Sequence, residues 1–206
     1  KCLVGLLSPD NGKVLFDGRY FTESDKNTTT QIRREIGMLF QGSALFDSLS
    51  VEENIAFPLR MFTKMSQEEI IERVNFCLKR VNILNKNSLY PSEISGGMQK
   101  RVAIARAISM KPKYLFCDEP NSGLDPVTAI VIDELIQELT KEYDMTTIVI
   151  THDMNSVLEI GENILFIDGG VKKWEGSKEE ILDVKVKELY DFVYVSKFLQ
   201  KSRINI

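Results

Sequence analysis

Three continuous apolar runs, each closed by polar residues, constrain the fold of this chain most strongly. They are YLFCDEP at 114–120, MTTIVITHD at 145–153 and NILFIDGG at 163–170. A helix is predicted between the first two, from Val127 to Tyr143, with Asp125 as its N-cap and Pro126 at its first position. Apolar strands that alternate with helices are typical of a parallel sheet covered on both faces. The sequence therefore predicts an α/β fold with a mostly parallel sheet.

The flanking segments predict further strands, a helical region and a hairpin. Residues 13–17 and 35–40 have strand character, residues 47–109 are mostly helical in pattern, and residues 167–176 are typical of a hairpin. Ser66 with Glu69 forms a predicted capping box.

The two ends of the chain have weaker patterns. Residues 1–12 are similar to the end of a helix followed by a turn, and Ser177 with Glu180 predicts the cap of a last helix. The tail from 182 to 206 is rich in Val, Tyr and Phe. We expect it to pack on its own domain, with contact to a partner or a second copy as the alternative.

Composition excludes several classes of function. Hydrophobic residues make up 43% of the 206 residues, which is enough for one sizeable α/β domain. The net charge of −4 argues against nonspecific nucleic-acid binding, and no run approaches the ~18 apolar residues of a membrane span. The widely spaced Cys2, Cys77 and Cys117 are expected to be reduced thiols of a cytosolic protein.

Polar residues follow three predicted strands at the ends where parallel sheets bind ligands. Asp118 and Glu119 end one strand, His152 follows the next, and Gln41 ends a third. A Mg²⁺ ion beside Asp118 would balance its charge, and Glu119 could polarise an attacking water. A neutral His152 could hydrogen-bond a phosphate oxygen or that water. The alternatives are carboxylates that cap a turn, a glutamine in a turn and a structural histidine.

The segment EISGGMQKR at 93–101 places two glycines at a helix start. Ser95 is a predicted N-cap, and Gly96 and Gly97 would let the backbone approach a ligand. Free N–H groups at the positive end of a helix form an anion site. The alternative is an ordinary capped helix, and the basic residues that follow could be solvated surface charge. These basic residues are Lys100, Arg101 and Arg106.

Together, in this order and spacing, the segments resemble the nucleotide-binding domain of ABC transporters from residue 1 to about residue 176. Gln41 corresponds to the Q-loop glutamine. ISGGM at 94–98 corresponds to the family signature, with Met98 in place of the usual glutamine. YLFCDE at 114–119 resembles the Walker B strand, SGLD at 122–125 the D-loop, and His152 the switch histidine.

The resemblance implies a P-loop NTPase (RecA-like) core with a helical subdomain, and binding of ATP with Mg²⁺. It implies that Asp118 and Gln41 contact the metal, that Glu119 is the catalytic base and that His152 is a second catalytic residue. In the family two domains pair head to tail, so the signature of one copy caps the ATP held by the other. The residues implied to contact the nucleotide are Ser95, Gly96, Gly97, Met98 and Asp125.

One large departure from the family pattern lies upstream. The family carries a strand and a Walker A loop, G-x-x-x-x-G-K-[ST], before the helix that residues 1–12 would end. Lys1 is not the Walker lysine, because Cys2 rather than Ser or Thr follows it. We therefore expect an N-terminally incomplete core and further residues before Lys1 in the whole protein. Residues 1–206 alone are not expected to hold ATP in the family's way.

The resemblance also implies a division into four parts. Residues 1–41 would be the N-terminal part of the ATPase core, and residues 42–111 the helical signature subdomain. Residues 112–180 would complete the core, and residues 181–206 would form a C-terminal tail helix.

Within the family, LFDSLSVEENIAFPLR at 45–60 and ISGGM look most like the ATPase of Mla-type systems. These move phospholipid between the membranes of Gram-negative bacteria with a permease and an MCE-type protein. The resemblance implies a peripheral position on the cytoplasmic face of the inner membrane, a possible small regulatory subunit and no nucleic acid. Phe46, Leu49 and Phe57 are candidate contacts for the permease's coupling helix, or core residues of the subdomain.

Three other functions stay open. The chain could be a non-hydrolysing ABC-like binding module that only occupies a partner. It could serve an ABC system for amino acids or lipoproteins. A soluble ABC ATPase of DNA repair or translation fits less well, because this chain has no long insertion and no second ATPase domain.

Overall fold

The computed structural model describes residues 1–194, which form two compact units: residues 1–150, and a second unit that begins at residue 151. Residues 195–206, including Phe198 and the end of the predicted tail helix, lie outside the described residues. The first unit contains five helices and five strands. The helices are α1 (Lys26–Arg34), α2 (Val51–Phe62), α3 (Gln67–Arg80), α4 (Gly96–Ile108) and α5 (Pro126–Glu142). The strands are β1 (Leu15–Phe16), β2 (Arg19–Tyr20), β3 (Ile36–Leu39), β4 (Tyr114–Asp118) and β5 (Thr146–Ile150).

A three-stranded parallel sheet in the order β3-β4-β5 forms the centre of the first unit. Leu39 lies opposite Cys117, and Asp118 lies opposite Ile150, so the three strands end at one edge. Residues 114–117 are buried, as the continuous apolar run predicts. In β5, by contrast, Ile148 and Ile150 are exposed. The α/β prediction is confirmed, while cover on both faces holds for β4 and not for β5.

Helices α2, α3 and α4 form the predicted helical region. The capping box of Ser66 and Glu69 is confirmed, and Ser50 with Glu53 forms another at the start of α2. The apolar faces of these helices share one core cluster with Leu39, Leu115 and α5. Cys77 and Cys117 are buried free thiols, as expected.

Residues 1–6 have the hydrogen-bond pattern of a helix C-terminus. The Leu6 N–H donates to the Lys1 carbonyl at 3.0 Å, and the Gly5 N–H donates to the Cys2 carbonyl at 3.1 Å. These are the two bonds of a Schellman motif, and Gly5 has the left-handed φ of +72° that the motif requires. The expected end of a helix is therefore present in the backbone geometry.

The second unit contains α6 (Met154–Ile160), β6 (Ile164–Asp168), β7 (Val171–Gly176) and α7 (Lys187–Val193). The predicted hairpin is confirmed, because β6 and β7 pair antiparallel. The expectation that the run at 163–170 adds a parallel strand is not met: in the described part of the chain β6 pairs with β7. Gly169 and Gly170 both have positive φ, which gives a tight turn that returns the chain beside β6.

The segment after Ser177 also differs from its prediction. Ser177 and Glu180 make both hydrogen bonds of a capping box, at 2.8 and 3.4 Å, but a 3₁₀ turn at Glu180–Asp183 follows instead of a longer helix. Val184 ends this turn in an extended conformation, and α7 begins three residues later. None of the helices within residues 1–194 is long and apolar enough to cross a membrane.

Candidate functional site

Three predicted site residues lie at the carboxyl edge of the parallel sheet. Asp118 is the last residue of β4 and Glu119 follows it, and both are half-buried. Gln41 lies two residues beyond the end of the neighbouring strand β3 and is exposed. Because β3 and β4 pair in register, the two strand ends are adjacent. The first unit therefore brings an amide and two carboxylates to one edge.

The backbone at Glu119 is held in an uncommon conformation. Its φ is +49°, in the left-handed region that residues other than glycine seldom occupy. The Glu119 N–H donates to the Ile150 carbonyl at 2.8 Å, which extends the β4–β5 pairing by one residue. Strained backbone of this kind is concentrated at functional sites, because the surrounding structure must stabilise it.

A buried cation lies behind this edge. Lys100 of α4 is only 4% exposed, and its Nζ donates to the carbonyls of Gln41 and, at 3.4 Å, of Glu119. Burial lowers the pKa of Lys100, and the nearby charges of Glu119 and Asp118 oppose that shift. The alternative that Lys100 is a solvated surface charge is therefore wrong.

At the start of α4, Ser95 and Gly96 are exposed, whereas Gly97 packs against α5. Ser95 caps the helix, with its Oγ accepting from the Met98 N–H at 3.3 Å, and Ser95 and Gly96 are exposed. A Cβ atom at Gly96 would meet only Leu124, at 4.0 Å. A Cβ at Gly97 would lie 2.7 Å from Cγ2 of Thr128, so packing against α5 accounts for this glycine. The Met98 side chain packs against the core cluster.

Asp125 caps α5 at the end of the predicted D-loop. Its carboxylate accepts from the N–H groups of Val127 and Thr128 and from the Thr128 hydroxyl at 2.5 Å. The Thr128 hydroxyl and N–H are the main causes that lower the pKa of Asp125. The predicted N-cap is confirmed, whereas contact of Asp125 with a nucleotide stays a prediction.

His152 belongs to the second unit, where it is exposed. Its neighbours form a local turn, because the Asp153 N–H donates to the Thr151 hydroxyl at 3.0 Å. Asp153 then caps α6 by accepting from the Asn155 N–H at 2.9 Å, as expected. The catalytic role of His152 stays a prediction.

The donor set at the edge fits a partial shell for Mg²⁺. Among residues 1–194, no group of three or more His, Cys, Asp or Glu side chains is arranged to hold a metal. Asp118 and Gln41 offer one carboxylate and one amide oxygen at adjacent strand ends. Mg²⁺ is commonly held by one or two carboxylates together with substrate phosphates and water. These two residues therefore fit the ion as partners of a phosphate ligand.

An apolar groove of about 410 Å³ lies on the same unit. Phe46 and Phe57 line it, with ring centroids 4.8 Å apart, and both rings are exposed. Arg33 and Arg34 also line the groove. The two phenylalanines predicted as partner contacts thus share one surface, whereas Leu49 is half-buried and is not among the lining residues.

Several residues that organise the edge carry no signal in the local sequence. Lys100 reaches a carbonyl 59 residues away, and Arg106 donates to the carbonyls of Ser43 and Ala44 at 2.8 and 2.7 Å. Asn54, fully buried, binds the backbone of Phe46. A basic or amide residue in a helical pattern ordinarily indicates a solvated face, so nothing in the local pattern distinguishes Asn54.

Comparison with known proteins identifies the family. The family described as ABC transporter matches residues 1–122, which is more than half of the chain. The chain belongs to the ABC transporter ATP-binding family. The Q-loop and signature assignments, at Gln41 and at 94–98, lie inside the matched range.

Curated relatives support the same family. The chain is 40% identical over 164 residues to a probable ribonucleotide transport ATP-binding protein, mkl, of Mycobacterium leprae, covering 80% of this chain and 47% of that protein. It is 36% identical over 206 residues to the methionine import ATP-binding protein MetN of Clostridium tetani, covering 100% of this chain and 64% of that protein. The chain spans about half the length of curated relatives such as mkl.

Solved structures confirm the P-loop cassette fold. A dimeric post-hydrolysis state of the ATP-binding cassette MJ0796 with ADP and Pi has a TM-score of 0.77 and 34% identity, covering 86% of this chain and 78% of that one. CbiO1 of Clostridium perfringens, part of the ABC transporter complex cbiONQ, has a TM-score of 0.80 and 30% identity, covering 98% and 80%.

Proposed function

We propose that this chain is the ATP-hydrolysing subunit of an ABC transport system. The observation that carries the proposal is the edge where Asp118 ends β4 and Glu119 follows it, next to the strand end that carries Gln41. Its membership of the ABC family supports ATP as the substrate. Half-buried carboxylates need compensating charge, and a metal bound with a nucleotide would add to that of Lys100.

The edge residues divide the chemistry between them. Glu119 accepts a proton from the attacking water, because it is the carboxylate beyond the strand end. Asp118 and Gln41 would hold Mg²⁺, which when bound would neutralise charge on the phosphates. His152 donates or accepts a hydrogen bond at the γ-phosphate or the water.

The signature works in a head-to-tail pair with a second copy of the chain. Ser95 and Gly96 form an exposed helix tip, and the free N–H groups of such a tip attract anions. The tip is supported by Gly97, which packs against α5, and by Met98, which packs against the core cluster. The neighbouring D-loop is supported by Asp125, which caps α5. The dimeric state of the MJ0796 cassette supports the pairing.

The groove of Phe46 and Phe57 takes a cytoplasmic helix of the permease. Its exposed aromatic rings offer apolar contact, and Arg33 and Arg34 favour an acidic residue on the partner. The subunit would then lie at the cytoplasmic face of the inner membrane.

We propose phospholipid as the transported substrate, with an MCE-type protein and a small regulatory subunit in the complex. The resemblance of residues 45–60 and of ISGGM to Mla-type ATPases supports this. The methionine and ribonucleotide systems named for the relatives are the main competitors. Fluorescent lipid transfer by the reconstituted complex, compared with methionine uptake, distinguishes them.

The hydrolysis test is the substitution Glu119→Gln in the full-length protein with its permease. We expect phosphate release to fall by at least about 100-fold, because the water loses its base. Glu134→Gln, the same change on an exposed carboxylate of α5, should leave the rate unchanged. Turnover that survives Glu119→Gln would exclude Glu119 as the base.

A second measurement separates the ATPase from a non-hydrolysing module. The Glu119→Gln protein should still bind a fluorescent ATP analogue. Absence of nucleotide binding by the full-length protein at high Mg-ATP would refute the ATPase and favour the binding module.

A further inference from the structure

Lys100 is a buried cation of α4, just before a buried apolar stretch of that helix. It is 4% exposed, and the residues that follow it, from Val102 to Ala105, are all buried. A charge in such surroundings needs polar partners to offset its lost hydration. The hydrogen-bond partners of Lys100 therefore indicate its role.

Both partners are backbone carbonyls at the candidate catalytic edge. The ammonium donates to the carbonyl of Gln41, and it lies 3.4 Å from the carbonyl of Glu119. Gln41 follows β3 and Glu119 follows β4, so one side chain joins the ends of two neighbouring strands. Lys100 is only three residues beyond Gly97, in the second turn of the signature helix.

The contact falls on a residue with an uncommon backbone conformation. Glu119 has a left-handed φ of +49°, and the Ile150 carbonyl holds its N–H at 2.8 Å. The Glu119 carbonyl accepts from Lys100 and also from the Ser122 N–H, at 3.2 Å. The peptide groups on both sides of the Glu119 Cα atom are thus fixed, one by β5 and one by α4.

The charge of Lys100 also favours this place. The carboxylates of Glu119 and Asp118 are close enough to act on it electrostatically. An ammonium beside two carboxylates reduces their mutual repulsion when a nucleotide is absent. An amide or hydroxyl could make the hydrogen bonds but would not supply this charge.

We propose that Lys100 is a positioning residue for hydrolysis, which ties the backbones of Gln41 and Glu119 to the signature helix. The inference rests on the proposed ATPase function. Lys100 acts through the two residues that it holds, so a displacement of α4 would move Gln41 and Glu119 together.

The test compares Lys100→Met with Lys100→Gln in the full-length protein with its permease. Methionine and glutamine are both one bond shorter than lysine; methionine removes the donors, whereas glutamine keeps two N–H donors. Lys100→Met should lower kcat by about 10- to 100-fold with little change in the KM for ATP, because misplaced catalytic groups slow the chemical step. Lys100→Gln should restore part of kcat.

The matched control is Arg101→Met, which removes the next cation of α4. Arg101 contacts the carbonyls of Val81 and Asn82 at 3.5 and 3.4 Å, away from the two loops. The turnover of the Arg101→Met protein should stay within about twofold of the wild type, as expected for a change away from the site. Equal losses in Lys100→Met and Arg101→Met, or an unchanged kcat in Lys100→Met, would overturn the proposal.

Hydrogen exchange in the absence of nucleotide tests whether Lys100 holds the backbones of Gln41 and Glu119. Lys100→Met should speed amide exchange in residues 42–46 and 119–122, and Arg101→Met should not. If the wild-type complex hydrolyses no ATP, the proposed function fails. Unchanged exchange in Lys100→Met would then overturn the positioning role, and faster exchange confined to the two segments would support it.

Discussion

Two loops reach the same edge of the parallel sheet and are held there in different ways. The first follows β3 and runs from Phe40 to Ser50, and the second follows β4 and runs from Glu119 to Asp125. Side chains of distant helices hold the first loop. Short-range backbone hydrogen bonds and the cap of Asp125 hold the second beyond Glu119. Apart from the contact with Lys100 that they share, the two loops therefore depend on different parts of the molecule.

The first loop has two short-range backbone hydrogen bonds of its own, at 2.9 and 3.1 Å, but helix side chains hold it as well. These bonds run from the Ser43 N–H to the Phe40 carbonyl and from the Leu49 N–H to the Phe46 carbonyl. Ser43 and Ala44 both have left-handed φ values, of 63° and 47°. Arg106 of α4 holds their two carbonyls, and Asn54 of α2 holds the backbone at Phe46. The position of this loop is thus set by the helical region.

The second loop closes on itself. The Ser122 N–H donates to the Glu119 carbonyl, and the Leu124 N–H donates to the Asn121 carbonyl, at 3.2 and 3.1 Å. Asp125 then starts α5. Because these contacts span three residues or fewer, the loop should keep its shape when α2 is disturbed, although its first residue, Glu119, is also held by Lys100 of α4.

The largest effect is expected from Asn54→Ala, which removes a distant support of the first loop. Asn54 is fully buried; its Oδ1 accepts from the Phe46 N–H at 2.8 Å, and its Nδ2 lies within 3.1 Å of the carbonyls of Phe46, Leu49 and Ser50. We expect the free energy of unfolding to fall by about 2–3 kcal/mol, because buried backbone groups lose their partners. Urea denaturation measures the change.

Asn75→Ala is the matched control, since Asn75 is an exposed amide on α3. It should change the free energy of unfolding by no more than about 0.5 kcal/mol. Hydrogen exchange in Asn54→Ala should rise in residues 42–50 and stay slow in 119–125. A rise of equal size in both loops would remove the difference between them.

A smaller effect is expected from Gly97→Ala, which disturbs the packing of the signature helix against α5. The new Cβ would lie 2.7 Å from Cγ2 of Thr128, so the two helix starts must move apart. We expect a loss of about 1–2 kcal/mol in the free energy of unfolding, because overpacking forces backbone shifts. Differential scanning calorimetry and denaturant titration both report it.

The second variant in this series is Gly97→Ala with Thr128→Ser. Serine removes the clashing methyl and keeps the hydroxyl that donates to Asp125 at 2.5 Å. Most of the lost stability should return. Gly96→Ala is the control for stability, because its Cβ would meet only Leu124 at 4.0 Å. No recovery in the double variant would mean that the strain lies elsewhere.

The sequence predicted the second loop better than the first. Asp125 before Pro126 is a local signal for a helix start, and Asp118 at the end of an apolar run is a local signal for a strand end. Both signals depend on neighbours within a few residues, and the structure has both features. The class of the sheet followed from the same local patterns.

The supports of the first loop could not be predicted, because each depends on a distant or buried contact. Lys100 and Arg106 reach residues 59 to 63 positions away. Asn54 contacts a near segment, but an asparagine inside a helix gives no sign that it is buried. The pairing of β6 was also mistaken, since an apolar run suits either a parallel strand or one arm of a hairpin.

The smallest effect is expected from acid, which should weaken the second loop at Asp125. Hydrogen bonds from the Thr128 hydroxyl and from the backbone lower the pKa of this carboxyl below its ordinary value of 3.8. The folded protein therefore holds the charged form more strongly than the unfolded chain does. This contribution to stability is complete above pH 3.8 and is lost as the pH falls through the lower folded pKa.

Asp125→Asn keeps a side chain that caps helices but does not ionise. The difference in melting temperature between wild type and Asp125→Asn should thus shrink or reverse on going from about pH 5 to about pH 2.5. Asp125→Ala, which lacks the cap at every pH, sets the lower limit. A difference that stays constant over this range would show that the charge of Asp125 does not hold the loop.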